Sequence, residues 1–177
     1  MINILRYLAG IICLLVVPSF VATAQTAGSA SVTGHITAQV ITTLAAVETS
    51  QMNFGRFSPG PQGGALILTP DNSISVQGSV WPGSGVHNAA SFYVTGEPGV
   101  AYSITLPDEP VTIRHMGTAR TMTVEDWISV PAPSPGAGML GDGSQTVYVG
   151  ATLKVGTLND NPVGIYTGTY TITFDFN

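Results

Sequence analysis

Gly164-Ile165-Tyr166-Thr167-Gly168-Thr169-Tyr170-Thr171-Ile172-Thr173-Phe174-Asp175-Phe176-Asn177 decides the fold. One parity carries Gly164, Tyr166, Gly168, Tyr170, Ile172, Phe174 and Phe176; after Ile165 the other carries Thr167, Thr169, Thr171, Thr173, Asp175 and Asn177. Side chains of an extended chain alternate between faces, so this is a strand with one apolar and one wet side. Threonine and aromatic residues favour the same state. At ~3.3 Å per residue the strand would span roughly 40 Å. Its apolar face needs a core, and the rest of the chain must supply the sheets that form it.

The start of the chain predicts export. Arg6 precedes an almost wholly apolar run, Tyr7 to Val21, and Ala22-Thr23-Ala24 places small residues where a signal peptidase reads. Cleavage is expected after Ala24, with residues 1–24 as the signal peptide. The apolar run is short for a membrane span. The alternative, an uncleaved anchor, fits the cleavage-site residues less well. Cys13, the chain's one cysteine, lies inside this leader, behind an Ile12 too bulky for a lipobox.

The remaining chain, residues 25–177, suits one domain with an N-terminal extension over about 25–44. Without cysteine it makes no disulfide, thiolate zinc site or thiol nucleophile. Without Arg6, four cations (Arg56, Arg114, Arg120, Lys154) face ten carboxylates, a balance of −6. That opposes nucleic-acid binding, which needs clustered cations. Few charges, with many Gly, Pro, Thr, Ser and Val, describe an extracellular all-β protein.

Along the chain, Val32, Gly34, Ile36, Ala38, Val40 and Leu44 share one parity, with polar residues between, and predict a long edge-like strand. Ser58 to Gly64 reads as a loop. Short strands follow at Ala65–Thr69, Ser73–Trp81, Ala89–Thr95, Val100–Leu106, Val111–Met116, Ala119–Val124, Trp127–Val130 and Thr146–Val155. Gly96-Glu97-Pro98-Gly99 reads as a hairpin turn and Gly117 marks another. Pro131 to Gly143 is a Pro-rich exposed loop. Strands at this spacing predict an antiparallel β-sandwich or barrel. The runs are short for an outer-membrane barrel.

No constellation points to catalysis, a cofactor or a metal. His35, His87 and His115 lack metal-ligand spacing and read as structural. No G-x-S-x-G elbow occurs. Asp108-Glu109 and Glu125-Asp126 are neighbours that point opposite ways in an extended chain, so neither is an acid/base dyad. Asp142-Gly143-Ser144 and Asn159-Asp160-Asn161 are oxygen-rich but match no complete calcium loop, and read as turns. Trp81 is the candidate ligand-loop residue for a sugar platform; a core position is the alternative for it and for Trp127.

An ordered series of motifs carries a resemblance: Met52-Asn53-Phe54-Gly55, Gly63-Gly64, Phe92-Tyr93-Val94-Thr95-Gly96, Tyr102-Ser103-Ile104-Thr105-Leu106-Pro107, Met122-Thr123-Val124, Val149-Gly150-Ala151-Thr152-Leu153 and Gly164-Ile165-Tyr166-Thr167-Gly168-Thr169-Tyr170. The chain resembles the bacterial domain-of-unknown-function family 4402, found in secreted proteins of Gram-negative bacteria. More distantly, its layout is similar to chaperone–usher fimbrial subunits and spore-coat-U-like pilins, although many of those carry a disulfide. That likeness implies an immunoglobulin-like, pilin-like sandwich lacking one strand, which a neighbour's extension supplies. Val32, Gly34, Ile36, Ala38 and Val40 would then be the donor strand. Tyr170, Ile172, Phe174 and Phe176 would line the acceptor groove. The alternative is that the Val32 stripe closes its own sandwich.

Three readings of function follow. The first is a non-catalytic structural subunit of a fimbria-like surface assembly, exported through the inner membrane to the periplasm, cell surface or fimbrium. Its expected partners are copies of itself or related subunits, with a periplasmic chaperone and usher. The second is a monomeric surface or periplasmic binding module, for instance for glycans, using Trp81 or the Pro131–Gly143 loop. The third, a small membrane barrel, fits the strand lengths least.

Overall fold

The computed structural model describes residues 28–134 and 137–176. The segment expected to be a signal peptide lies outside these residues, as do Pro135 and Gly136 of the Pro-rich loop and the terminal Asn177. The described residues fall into two units, one ending at Ala38 and one beginning at Gln39. In the first unit, residues 28–38 are exposed and adopt no regular secondary structure. The strand expected over Val32 to Leu44 is therefore not formed: residues 39–44 are also irregular, and pairing starts only at Ala45. An isolated strand leaves its backbone groups without ladder partners, and among the described residues this stretch has none.

The second unit is all-β. Its strands are β1 (Ala45–Ser50), β2 (Phe57–Leu68), β3 (Ile74–Pro82), β4 (Ala90–Thr95), β5 (Ala101–Thr105) and β6 (Val111–His115). They continue as β7 (Thr121–Val130), β8 (Gly138–Met139), β9 (Ser144–Val155), β10 (Tyr166–Thr167) and β11 (Thr173–Phe176). Every pairing is antiparallel. The large sheet runs β1-β4-β9-β7-β6-β10, and β2 joins it through β9 and carries β3. The small sheet runs β11-β5-β8.

β9 is the strand around which the large sheet is built. Its first half pairs with β4 (Ala90↔Val149 to Thr95↔Ser144) and its second half with β2 (Leu68↔Ala151 to Gly64↔Val155). β7 runs along its other edge. Val147, Val149, Ala151, Leu153 and Val155 alternate along β9 and are all buried; on the opposite face Tyr148 and Lys154 are exposed while Gly150 and Thr152 between them are buried. That period of two is the signature of one face packed on a core.

Two apolar clusters fill the interior. One gathers Ala90, Val94, Tyr102, Ile104, Leu140, Val147 and Val149, and is where the small sheet packs. Tyr102 donates its hydroxyl hydrogen to Gln145 Oε1 at 2.8 Å, and the same oxygen accepts from Met139 N at 3.0 Å, tying β5, β8 and β9 together. Burial pushes the Tyr102 phenol up to about 12. The other cluster holds Leu66, Val80, Met122, Val124, Ala151, Leu153 and Val155. No member of the small sheet belongs to it; Met52, Phe54, Phe57 and Tyr166, from connecting segments and strand ends, pack on it and are only partly buried.

Three local readings need correction. Gly96 to Gly99 is not a hairpin turn, because β4 lies in the large sheet and β5 in the small one. The Gly96 and Gly99 amides donate to Gly143 O and Leu140 O, and Gly99 has φ +78°, which glycine adopts without a Cβ clash. The segment is a corner between sheets. Ser58 to Gly64 is not a loop but the first part of β2, paired with β3 through a register shift between Pro59 and Gly64. The final stretch is two short strands: Tyr166–Thr167 pairs with β6 and Thr173–Phe176 with β5, so it changes sheets. Its alternation survives the break, since Tyr166, Tyr170, Ile172 and Phe174 are partly buried and the threonines between them exposed.

Candidate functional site

A bulge places the central ring of the site. In β7, Met122 and Val124 face inward at even positions. The register shifts between Glu125 and Ile128, with Asp126 at φ +51°. The extra residue reverses the parity, so odd-numbered Trp127 and Ser129 take the inward face. Trp127 reaches both clusters. Its ring lies 4.7 Å from that of Tyr170, tilted by 38°. From Tyr170 an aromatic chain continues to Phe92 at 6.4 Å, Phe174 at 6.0 Å and Tyr102 at 6.1 Å. These separations are those of offset and edge-to-face ring contacts.

Beside these rings opens a groove of about 820 Å³. Its floor includes Met122, Val124 and Leu153, and β6 contributes Val111 and Ile113. One wall is the link between β1 and β2, with Met52 and Phe54; the other is residues 161–170 with Tyr166 and Tyr170. The groove lies over the cluster that the small sheet leaves uncovered. Gly168 to Ile172 runs along it and belongs to no ladder. Two polar atoms at this place, Trp127 Nε1 and Tyr170 Oη, are buried without a hydrogen-bond partner among the described residues. Burial raises the Tyr170 phenol above its ordinary range, and the Glu48 carboxylate adds to the shift.

Of the expected acceptor residues, Tyr170 and Ile172 line the groove. Phe174 packs in the small-sheet cluster and Phe176 stands opposite Tyr102 in β11. The donor residues Val32, Ile36 and Val40 are 96%, 98% and 96% exposed, and Gly34 and Ala38 are exposed with them. Trp81 is 57% exposed at the end of β3. Its indole lies over Gly60, where a Cβ would come within 2.8 Å of the ring. Among the described residues no aromatic ring stacks on it.

Three features were not read from the sequence. Met52, Phe54 and Trp127 reach the groove from distant segments. A patch of exposed apolar side chains crosses the outer face of the large sheet: Val47 faces Tyr93, and Tyr148 faces Val130. Tyr93 pairs with Thr146, so Tyr148 is its diagonal neighbour. Asn161, read as a turn residue, is a buried staple. Its Oδ1 accepts from Gly156 N and its Nδ2 donates to Thr121 O at 2.8 Å, fastening the groove wall to the start of β7. Replacing it with alanine strands both backbone groups. Asn161→Ala is expected to cost about 2 kcal/mol, read as a lower urea midpoint at unchanged slope.

The polar side chains in this region serve structure. His115 Nδ1 accepts from Gly117 N at 2.9 Å and Nε2 donates to Val163 O at 3.1 Å, which sets its tautomer. Asp160 accepts from Thr157 N and Oγ1, and these bonds hold its carboxyl below the usual range. Among the described residues no three His, Cys, Asp or Glu side chains converge as a metal site would require.

Comparison with curated proteins and with solved structures gives no match. The model of one family, described as a domain of unknown function (DUF4402), matches residues 44–176, from the last residue before β1 to the end of β11. The chain therefore belongs to the DUF4402 family.

Proposed function

We propose that this protein is a non-catalytic structural subunit that joins its neighbours by β-strand addition. The observation that carries this reading is the groove over half of an apolar face, with the unpaired Gly168–Ile172 segment along it. Burying such a face is the main driving force of assembly, and an unpaired backbone segment is a template for another strand. The chain also carries a segment of matching chemistry, the exposed stripe of Val32, Ile36 and Val40. A neighbour's stripe would complete the second layer of the sandwich, with main-chain hydrogen bonds supplying affinity and alternate side chains supplying specificity. Export across the inner membrane, a surface or fimbrial location and escort by a chaperone and usher accord with the leader and with the resemblance to fimbrial subunits.

The test is an unheated electrophoretic ladder of purified protein. Oligomers that collapse to one band on boiling are expected, and deleting residues 25–40 is expected to remove them. A monomer whose behaviour is indifferent to that deletion would falsify the reading.

A second reading is a binding module. Its contact residues would be Tyr93 and its diagonal neighbour Tyr148, both exposed on the outer face, with the exposed Trp81 as the alternative. Glycan binding that survives Trp81→Ala and fails in Tyr148→Ala would support it.

A further inference from the structure

We infer that Trp127 and Tyr170 set the register of the incoming strand, by taking from it the hydrogen bonds that the single chain denies them. This rests on the strand-addition reading and names the occupant: residues 31–41 of a second copy.

More than nine in ten buried polar groups in folded proteins are paired. Here two orphans sit on adjoining rings in the wall of one groove, and both rings pack in the core clusters rather than facing water. An indole N–H only donates, so it needs an acceptor, and a phenol can donate or accept. A strand's backbone presents carbonyls and amides alternately and provides for both. The segment that carries Tyr170 is free to respond. Among the described residues Gly168 to Ile172 lies in no ladder, and no turn or loop backbone hydrogen bond involves it. It separates β10 from β11, and its residues already alternate inward and outward. Drawing it into a ladder with a second copy gives its free backbone partners at the place where the chain changes sheets and brings the newcomer's backbone to the two rings.

The stripe has the matching shape. Along its apolar face the side chains run large, small, large, small, large: Val32, Gly34, Ile36, Ala38, Val40. Large residues recur every fourth position, about 13 Å apart in an extended chain. Gly34 and Ala38 leave room for bulky rings opposite them, and Val32, Ile36 and Val40 enter the apolar floor to either side. A slip of two residues would set a branched side chain against the rings and move the polar contacts out of reach.

Full-length Tyr170→Phe loses only the polar atom, whereas Trp127→Phe loses the indole N–H together with part of the ring volume packed on the two clusters. In the dissociated chain Tyr170→Phe is expected to leave the thermal midpoint unchanged or slightly raised, because an orphan group has gone, and Trp127→Phe to lower it by a cavity cost. In the assembled protein each is expected to shorten oligomer lifetime by about tenfold, the loss of one good hydrogen bond. In a Trp81→Phe chain, where Trp127 is the single indole of the exported residues, its emission is expected to change on assembly. Lifetimes within twofold of the parent in both variants, or an unchanged Trp127 spectrum, overturn the inference and leave strand addition standing. Destabilisation of the dissociated Tyr170→Phe chain equal to that of its assembled form overturns it too, by assigning the pair to the single chain's own fold. A parent that forms no oligomer overturns both.

Discussion

Ile36→Asp is expected to abolish the oligomers that strand addition would form, with a loss of affinity of at least about a thousandfold. Ile36 is almost wholly exposed, so the dissociated chain gains or loses little by the change. In a groove floored by Met122, Val124 and Leu153 the account differs. Withdrawing an isoleucine forfeits about 2 kcal/mol of apolar burial, and seating an unpaired carboxylate in its place costs several kcal/mol more. Each 1.4 kcal/mol is a factor of ten. Light scattering on size-separated protein reads the outcome. Thr37→Asp is the control, because its side chain has the opposite parity and faces away from the groove in the same docking; its effect is expected to stay within a few fold. Equal loss in both variants would place the effect in general charge rather than in the stripe. Full assembly by Ile36→Asp would remove the stripe from the interface.

Gly150→Val leaves little native protein. Gly150 lies in β9 where β4 ends and β2 begins. A Cβ there would stand 2.2 Å from Leu68 O and 2.9 Å from the Thr69 carbonyl carbon. Both are backbone atoms of the neighbouring strand and its exit, so no rotamer relieves the contact. Relief requires β2 to move from β9, which opens the cluster around Leu66 and Leu153. We expect a cost of about 3 kcal/mol or more, a large share of the stability of a domain this size. Soluble yield and a denaturant midpoint report it. A Gly150→Val protein with parental stability would show that β2 and β9 are not in contact as described.

The alternation of residues 166–176 was legible because it is local. Each threonine and each aromatic side chain reports its own face, and the structure keeps those faces through the break between β10 and β11. The break itself was not legible. Whether a residue lies in a ladder depends on a partner far away in sequence, and here the partner changes from His115 and Arg114 to Tyr102 through Thr105. The corner at Gly96–Gly99 shows the same limit, since turn chemistry says that a chain reverses but not into which sheet it goes. Parity put Tyr170 and Ile172 on the inward face; that they line a groove was implied by the resemblance, and Phe174 and Phe176, of the same parity, do not line it. Trp127 could not be placed by parity, because one inserted residue at Asp126 inverts the count on which parity rests. Asn161 was hidden for a related reason: an amide in a turn looks alike whether it faces water or, as here, the carbonyl of Thr121.

The position of β9 has a consequence for timing. Strands β2, β4 and β7 all have it as their common neighbour, yet it ends at Val155, behind most of the polypeptide. A chain delivered from its N-terminus waits for the central piece while the pieces that surround it are already out. Until then their inward side chains have only each other and water. Such long-range closure is slow, and the waiting ensemble is prone to aggregate. The rate at which the last quarter of the chain is delivered thus governs how long this protein spends in its most vulnerable form.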